Sequence, residues 1–176
     1  MQNENKQNNG SKPRNNQRSG GYQPKESMPI GGHQALAKDN YSDLAEQRIL
    51  AIKEKSDSKE ELITTTKLRN LLAMALDVYY ALPKNNIGTK VELEDILDRI
   101  SYFKVRCYYE ASREDAVRDF IDKTEISGYL EELGKLPNKD ENKEETKDKL
   151  ERQFILFVRY LEALVAFRAY YIEDKK

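Results

Sequence analysis

The sequence predicts an all-α fold, a compact bundle of about five helices behind a disordered N-terminal tail, and three observations carry that prediction. Apolar residues recur at spacings of three and four through most of the chain after residue 40. No segment sustains the apolar–polar alternation of a half-buried strand. After residue 32 only three of the eight glycines remain, so turn material is scarce outside the N-terminus.

Residues 1–32 hold five of the eight glycines and three of the five prolines, among many Asn, Gln and Ser. Ordering such a stretch costs conformational entropy and buries almost nothing in return. Lys6, Lys12, Arg14, Arg18 and Lys25 stand against Glu4 and Glu26, a net charge of +3. A solvated tail and a mobile basic arm that touches RNA on assembly both fit. The tail is placed at 1–40 and the helical domain at 41–176.

Leu44, Ala45, Ile49 and Ile52 predict a short amphipathic helix from Tyr41, followed by a charged stretch over 53–61. Thr64-Thr65-Thr66 then precedes a long helix whose inner face carries Leu68, Leu71, Leu72, Ala75, Leu76, Tyr79 and Leu82. A threonine there can accept a hydrogen bond from an orphan amide one turn on. Pro83 and Asn85-Asn86-Ile87-Gly88 end it. The next helix runs from near Thr89 to about Ala111, with Leu93, Ile96, Leu97, Ile100, Phe103, Cys107 and Tyr108 inward. Ser112 and Asp115 have capping-box spacing and predict a break. Two short helices follow, one through Ala116, Val117, Phe120 and Ile121, the other through Tyr129, Leu130 and Leu133 before Gly134 and Pro137. Residues 138–149 are almost all charged, either a loop or the solvated first turns of the last helix. That helix, from about Lys143 to Ile172, turns Phe154, Phe157, Val158, Leu161, Leu164, Val165, Tyr171 and Ile172 inward.

Several classes of function lack their residues. The 30 basic and 31 acidic side chains nearly cancel, which argues against coating nucleic acid by bulk charge but not against a local basic face. One cysteine, Cys107, and one histidine, His33, exclude an internal disulfide and the usual zinc sets. Cys107 reads as a small core residue. His33 lies beside Gly31-Gly32 in the expected tail and makes a poor general base. Glu92, Glu94, Asp95 and Asp98 resemble a magnesium cluster, but acids at a helix start are the ordinary response to its dipole. Neither a phosphate-binding glycine loop nor a partnered nucleophile is present, so no catalytic residue, metal or cofactor is expected. The amino terminus has no secretory h-region, and no apolar run approaches a membrane span of about 20 residues, so a soluble, cytoplasmic protein is expected.

The informative feature is a stripe. Arg99, Tyr102, Arg106 and Tyr109 follow at spacings of three, four and three, on a face opposite the core, and Arg113 extends or caps it. Guanidinium groups grip phosphates and tyrosine rings stack on bases, so this is how a helical RNA-contacting face would look. Packing of the tyrosines against neighbouring helices under the arginines is the alternative. On the last helix Ala163, Ala166, Phe167 and Tyr170 lie partly off the apolar face. They mark either a subunit interface or a helix buried on several sides.

Three stretches resemble one family. Thr64-Thr65-Thr66-Lys67-Leu68-Arg69-Asn70 is similar to the "TTxxLR" helix start of the small subunit of type III-A CRISPR interference (Csm-type effector) complexes. Tyr108-Tyr109-Glu110-Ala111-Ser112-Arg113 resembles its "YxAGR" segment, with Ser112 where the family has glycine. The run from Phe157 to Tyr171 resembles its closing "FxxYxEALVAYxxYY" helix. The resemblance implies an all-α, non-catalytic subunit present in several copies, stacked in a filament beside the backbone subunits that hold the guide RNA. Its partners would be guide RNA and target RNA, the large polymerase/nuclease-type subunit, the backbone subunits and other copies of itself. Lys67, Arg69 and Arg113 stand where the family motifs carry basic residues; with Arg99 and Arg106 they are the candidate RNA contacts. A helical protein–protein adaptor or regulator without RNA contact is the competing class.

Overall fold

The computed structural model describes residues 33–55, 62–82, 91–136 and 142–172. Six helices follow one another there: α1 (Tyr41–Lys55), α2 (Thr65–Tyr80), α3 (Leu93–Arg113), α4 (Asp115–Lys123), α5 (Ile126–Lys135) and α6 (Lys143–Tyr171). No strand occurs among the described residues. α6 is the axis: α1 and α2 lie along it, and α3 and α5 also touch it. α3 packs against α2 and, through α4 and α5, closes the other side of the bundle.

Each long helix is built as its spacing predicts, with instructive exceptions. Thr64 caps α2, its Oγ1 accepting from the Lys67 amide at 3.3 Å. Leu68, Leu71, Ala75 and Leu82 are buried, and so is Val78, which the sequence reading did not place inside. Leu72, Leu76 and Tyr79 are only partly buried. In α3 the Asp95 carboxylate reaches back to the Glu92 amide at 3.3 Å, so part of the acidic cluster caps a helix. Leu93, Ile96, Ile100, Phe103 and Cys107 are buried as expected, whereas Tyr108, expected inward, is exposed. The proposed start at Thr89 and the turn at 83–88 lie outside the described residues. Ser112 does not cap the next helix: α3 runs through it, its hydroxyl donates to the Tyr109 carbonyl at 2.7 Å, and the break falls at extended Glu114. Lys143–Lys149 form the first turns of α6 rather than a loop.

The core centres on aromatic α6. Phe154, Phe157, Tyr160, Leu161 and Leu164 are essentially inaccessible, and Phe157 meets Phe103 edge-on at 6.1 Å. Each such side chain contributes roughly 1.5–3 kcal/mol by leaving water. Cys107 sits in this core, and burial pushes its thiol up to about 12. It should therefore resist a disulfide reagent at pH 8 in the folded chain and react only after unfolding. Labelling of the native protein at the rate of a free thiol would place Cys107 at the surface.

Two buried arginines were not legible in the sequence. Arg168 is 2 % exposed; its Nε donates to the Ile63 carbonyl at 2.9 Å and its Nη1 to the Ile172 carbonyl. It ties the entry to α2 to the end of α6. Arg48 of α1 donates to the Lys123 carbonyl at 3.3 Å, while Tyr160 of α6 donates to the Thr124 carbonyl at 2.8 Å. Together they satisfy carbonyls left open where α4 ends. The chain then turns through Glu125, which has φ 61° and leads into α5.

The packed domain begins before Tyr41. Leu36, which the sequence placed in the tail, is buried. Gln34 accepts a hydrogen bond from the Tyr129 hydroxyl at 2.9 Å, and Asn40 braces the segment through the Ala37 amide and Ala35 carbonyl. His33, read as belonging to a flexible tail, lies against α5. The expected tail over 1–32 falls outside the described residues.

Candidate nucleic-acid interface

The stripe forms on α3 because its core residues fill one side and leave a flank free. Arg99, Tyr102, Arg106, Tyr109 and Arg113 are all exposed, with Tyr102 and Tyr109 more than half accessible. The guanidinium of Arg113 lies 5.6 Å from the centre of the Tyr109 ring, and the Tyr102 hydroxyl beside Arg106 raises that guanidinium above its ordinary value. Arg and Tyr are thus interlocked along the helix, with one face of each pair open to solvent.

The flank does not look straight out from the core. It is one wall of a groove of about 560 Å³ whose other wall is Met74, Asp77 and Val78 of α2. Arg99, Tyr102 and Arg106 line it together with Asp95 and Asp98. Three carboxylates therefore share the groove with two guanidinium groups, an arrangement that stripe spacing alone could not reveal. Met74 and Asp77, one turn apart on α2, are its sequence signal. Among the described residues no ion pair engages Arg69, Arg99, Arg106 or Arg113.

The five candidate RNA residues are not all brought together. Lys67, at the start of α2, is paired with the Glu114 carboxylate just past the end of α3, beside Arg113. Both partners are about 40 % exposed, so the pair contributes no more than about 1 kcal/mol and can be exchanged for another anion. Arg69 is exposed but shares its face of α2 with Ala73, Leu76 and Tyr80 at helical spacing, not with the groove residues Met74 and Asp77. Arg99, Arg106 and Arg113 form the continuous line, and Lys67 meets its end.

On α6, Ala166 and Tyr170 are exposed while Ala163 and Phe167 are partly buried. Tyr170 is 81 % accessible and packs edge-on to Tyr171 at 4.9 Å. Tyr171 stacks on Phe167, its hydroxyl bonds Glu46 of α1, and Lys53 lies 5.9 Å over its ring. The four residues named from the sequence thus form an apolar, partly open strip that α1 leaves uncovered. Among the described residues no group of His, Cys, Asp and Glu could hold a metal, and no helix is long and apolar enough to cross a membrane.

No family model matches the chain. Individual proteins do. Over 136 residues it is 32 % identical to the CRISPR system Cms protein Csm2 of Streptococcus thermophilus, covering 77 % of this chain and 94 % of that one. The protein of the same name from Enterococcus italicus is 37 % identical over 109 residues, 62 % of this chain and 68 % of its own. That of Mycobacterium tuberculosis is 29 % identical over 136 residues, again 77 % and 94 %. The chain belongs to the Csm2 family of CRISPR system proteins, the type III-A small-subunit family that its three motifs resemble.

Proposed function

We propose that this small subunit acts without catalysis of its own, lying along the ribonucleoprotein with its α3 flank against RNA. The observation that carries this reading is the exposed run Arg99–Tyr102–Arg106–Tyr109–Arg113 on one side of one helix. Arginine binds backbone phosphate irrespective of sequence, and the intervening rings offer platforms to bases. The contacted strands are target RNA and its duplex with the guide RNA, in the cytoplasm. Copies of the chain stack in a filament through the apolar strip on α6, alongside the backbone subunits and with the large polymerase/nuclease-type subunit at one end.

The adaptor reading keeps one specific support: Asp77, Asp95 and Asp98 in the same groove lower its attraction for phosphate. Recovery of the tagged chain from its host separates the two readings. The first expects guide RNA and effector subunits to co-purify; the second expects proteins whose association survives ribonuclease.

The α6 strip has its own test. Ala166 is exposed, so Ala166→Glu should leave the helical spectrum and melting of the isolated chain unchanged while blocking its incorporation into the complex. Normal incorporation would remove the strip from the interface.

A further inference from the structure

His33 is the one histidine of the chain, and both of its ring nitrogens face carboxylates. Nδ1 meets Glu125, and Nε2 meets Glu132 at 2.7 Å. An ionised carboxylate only accepts, so satisfying both contacts requires a proton on each nitrogen. A neutral imidazole has a single N–H; its other nitrogen would turn a lone pair toward a carboxylate. The contact therefore exists in full only with the imidazolium ion.

The surroundings are shaped around this contact. Glu125 is 8 % exposed and stands at the left-handed turn between α4 and α5, which aims its carboxylate back across the first turn of α5. Gly128 leaves that space open: a Cβ there would stand 3.3 Å from the Glu125 oxygen and 3.7 Å from His33 Nδ1. The Tyr129 ring packs against the imidazole with centroids 5.5 Å apart, and its hydroxyl holds the Gln34 carbonyl. Beyond Leu36 the segment is held independently, by burial of Leu36 and by Asn40.

We propose that residues 33–35 are a protonation-controlled strap, docked on α5 while His33 is charged and released, with Leu36 as the pivot, when it is neutral. Arg48 from α1, Lys135 from α5 and Tyr160 and Lys149 from α6 are the further charged and titratable groups around Glu125, Tyr129 and Glu132. The two carboxylates touch the ring itself, and the hydrogen bond to Glu125 raises the His33 pKa above its ordinary value, against the opposing effect of burial. A raised value in the folded state fixes the sign. The docking contribution is complete below the ordinary histidine value of about 6.5 and is lost as the pH rises through the higher folded value.

The test is an NMR titration of the full chain, in which the sole histidine needs no assignment. The His33 ring should titrate above a free-peptide histidine, and the order parameters of the Gln34 and Ala35 amides should fall over the same pH range. Glu132→Gln should move both transitions downward together. His33→Gln should leave these amides mobile at every pH while the circular dichroism stays unchanged. Titration at the free-peptide value, or amides that stay ordered after the ring has lost its proton, would overturn the proposal. So would loss of helicity in His33→Gln, since the contact would then be part of the core.

Discussion

Phe154→Ala is expected to destabilise the isolated chain by roughly 3–5 kcal/mol, the largest effect of any single change considered for this fold. Phe154 has no accessible surface and lies midway along α6, its ring 5.9 Å from that of Phe157, which in turn meets Phe103 of α3. Truncation removes the transfer free energy of the ring and leaves a cavity that this helix cannot collapse without disturbing its contacts with neighbouring elements. Denaturant unfolding of the two chains at equal slope measures the difference. As a control, Tyr170→Ala on the open strip of the same helix should stay within about 0.5 kcal/mol. A small loss from Phe154→Ala beside a large one from Tyr170→Ala would mean that α6 is rotated about its axis and that the strip faces the core.

The second large effect concerns RNA. Arg99→Ala, Arg106→Ala and Arg113→Ala combined should leave stability almost untouched, because all three side chains are exposed. If each meets a phosphate of a single strand, its loss lowers the salt slope of log K by roughly 0.7, about 2 in total for the three. The same arithmetic makes binding at 0.1 M salt weaker by about two orders of magnitude, with little dependence on sequence. Target-RNA titrations of the assembled complex over a range of salt concentrations measure both quantities. Under the adaptor reading, slope and affinity stay at wild-type values while assembly is intact. Lys67→Ala should have a smaller effect than any stripe arginine, since Glu114 already neutralises it.

What the sequence made legible followed the strength of its periodicity. α2, α3 and α6 have long apolar faces, and Leu68, Ile96, Ile100, Phe154 and Leu161 are buried where three- and four-residue spacing puts them. The α3 stripe was visible for the same reason, since a helix fixes its faces locally. Features that depend on a second element were not. Val78 and Tyr108 exchanged places with their expectations because burial at the margin of a face is decided by the neighbouring helix. Arg48 and Arg168 are buried because they reach carbonyls at helix junctions, and no spacing rule announces such a partner. The carboxylates of Asp77, Asp95 and Asp98 join the arginines in one groove only once α2 lies beside α3. Leu36 and His33 looked like tail because Gly31-Gly32 and the polar residues before them carry no period, yet Leu36 is buried, His33 and Gln34 find partners once the segment lies beside α5, and Asn40 braces it. Ser112 offered capping-box spacing, but α3 runs on to Arg113 and the hydroxyl donates back to the Tyr109 carbonyl instead.

Tyrosine position tests the central claim most directly. Tyr102 and Tyr109 lie on the α3 stripe, whereas Tyr80 and Tyr170 are at least as open on other faces. Ultraviolet cross-linking of the RNA-bound complex, read by mass spectrometry of nucleotide-bearing peptides, should give adducts at Tyr102 and Tyr109. Adducts confined to Tyr80 or Tyr170, with the α3 peptide unmodified in fully bound complex, would contradict the assignment of the α3 flank to RNA.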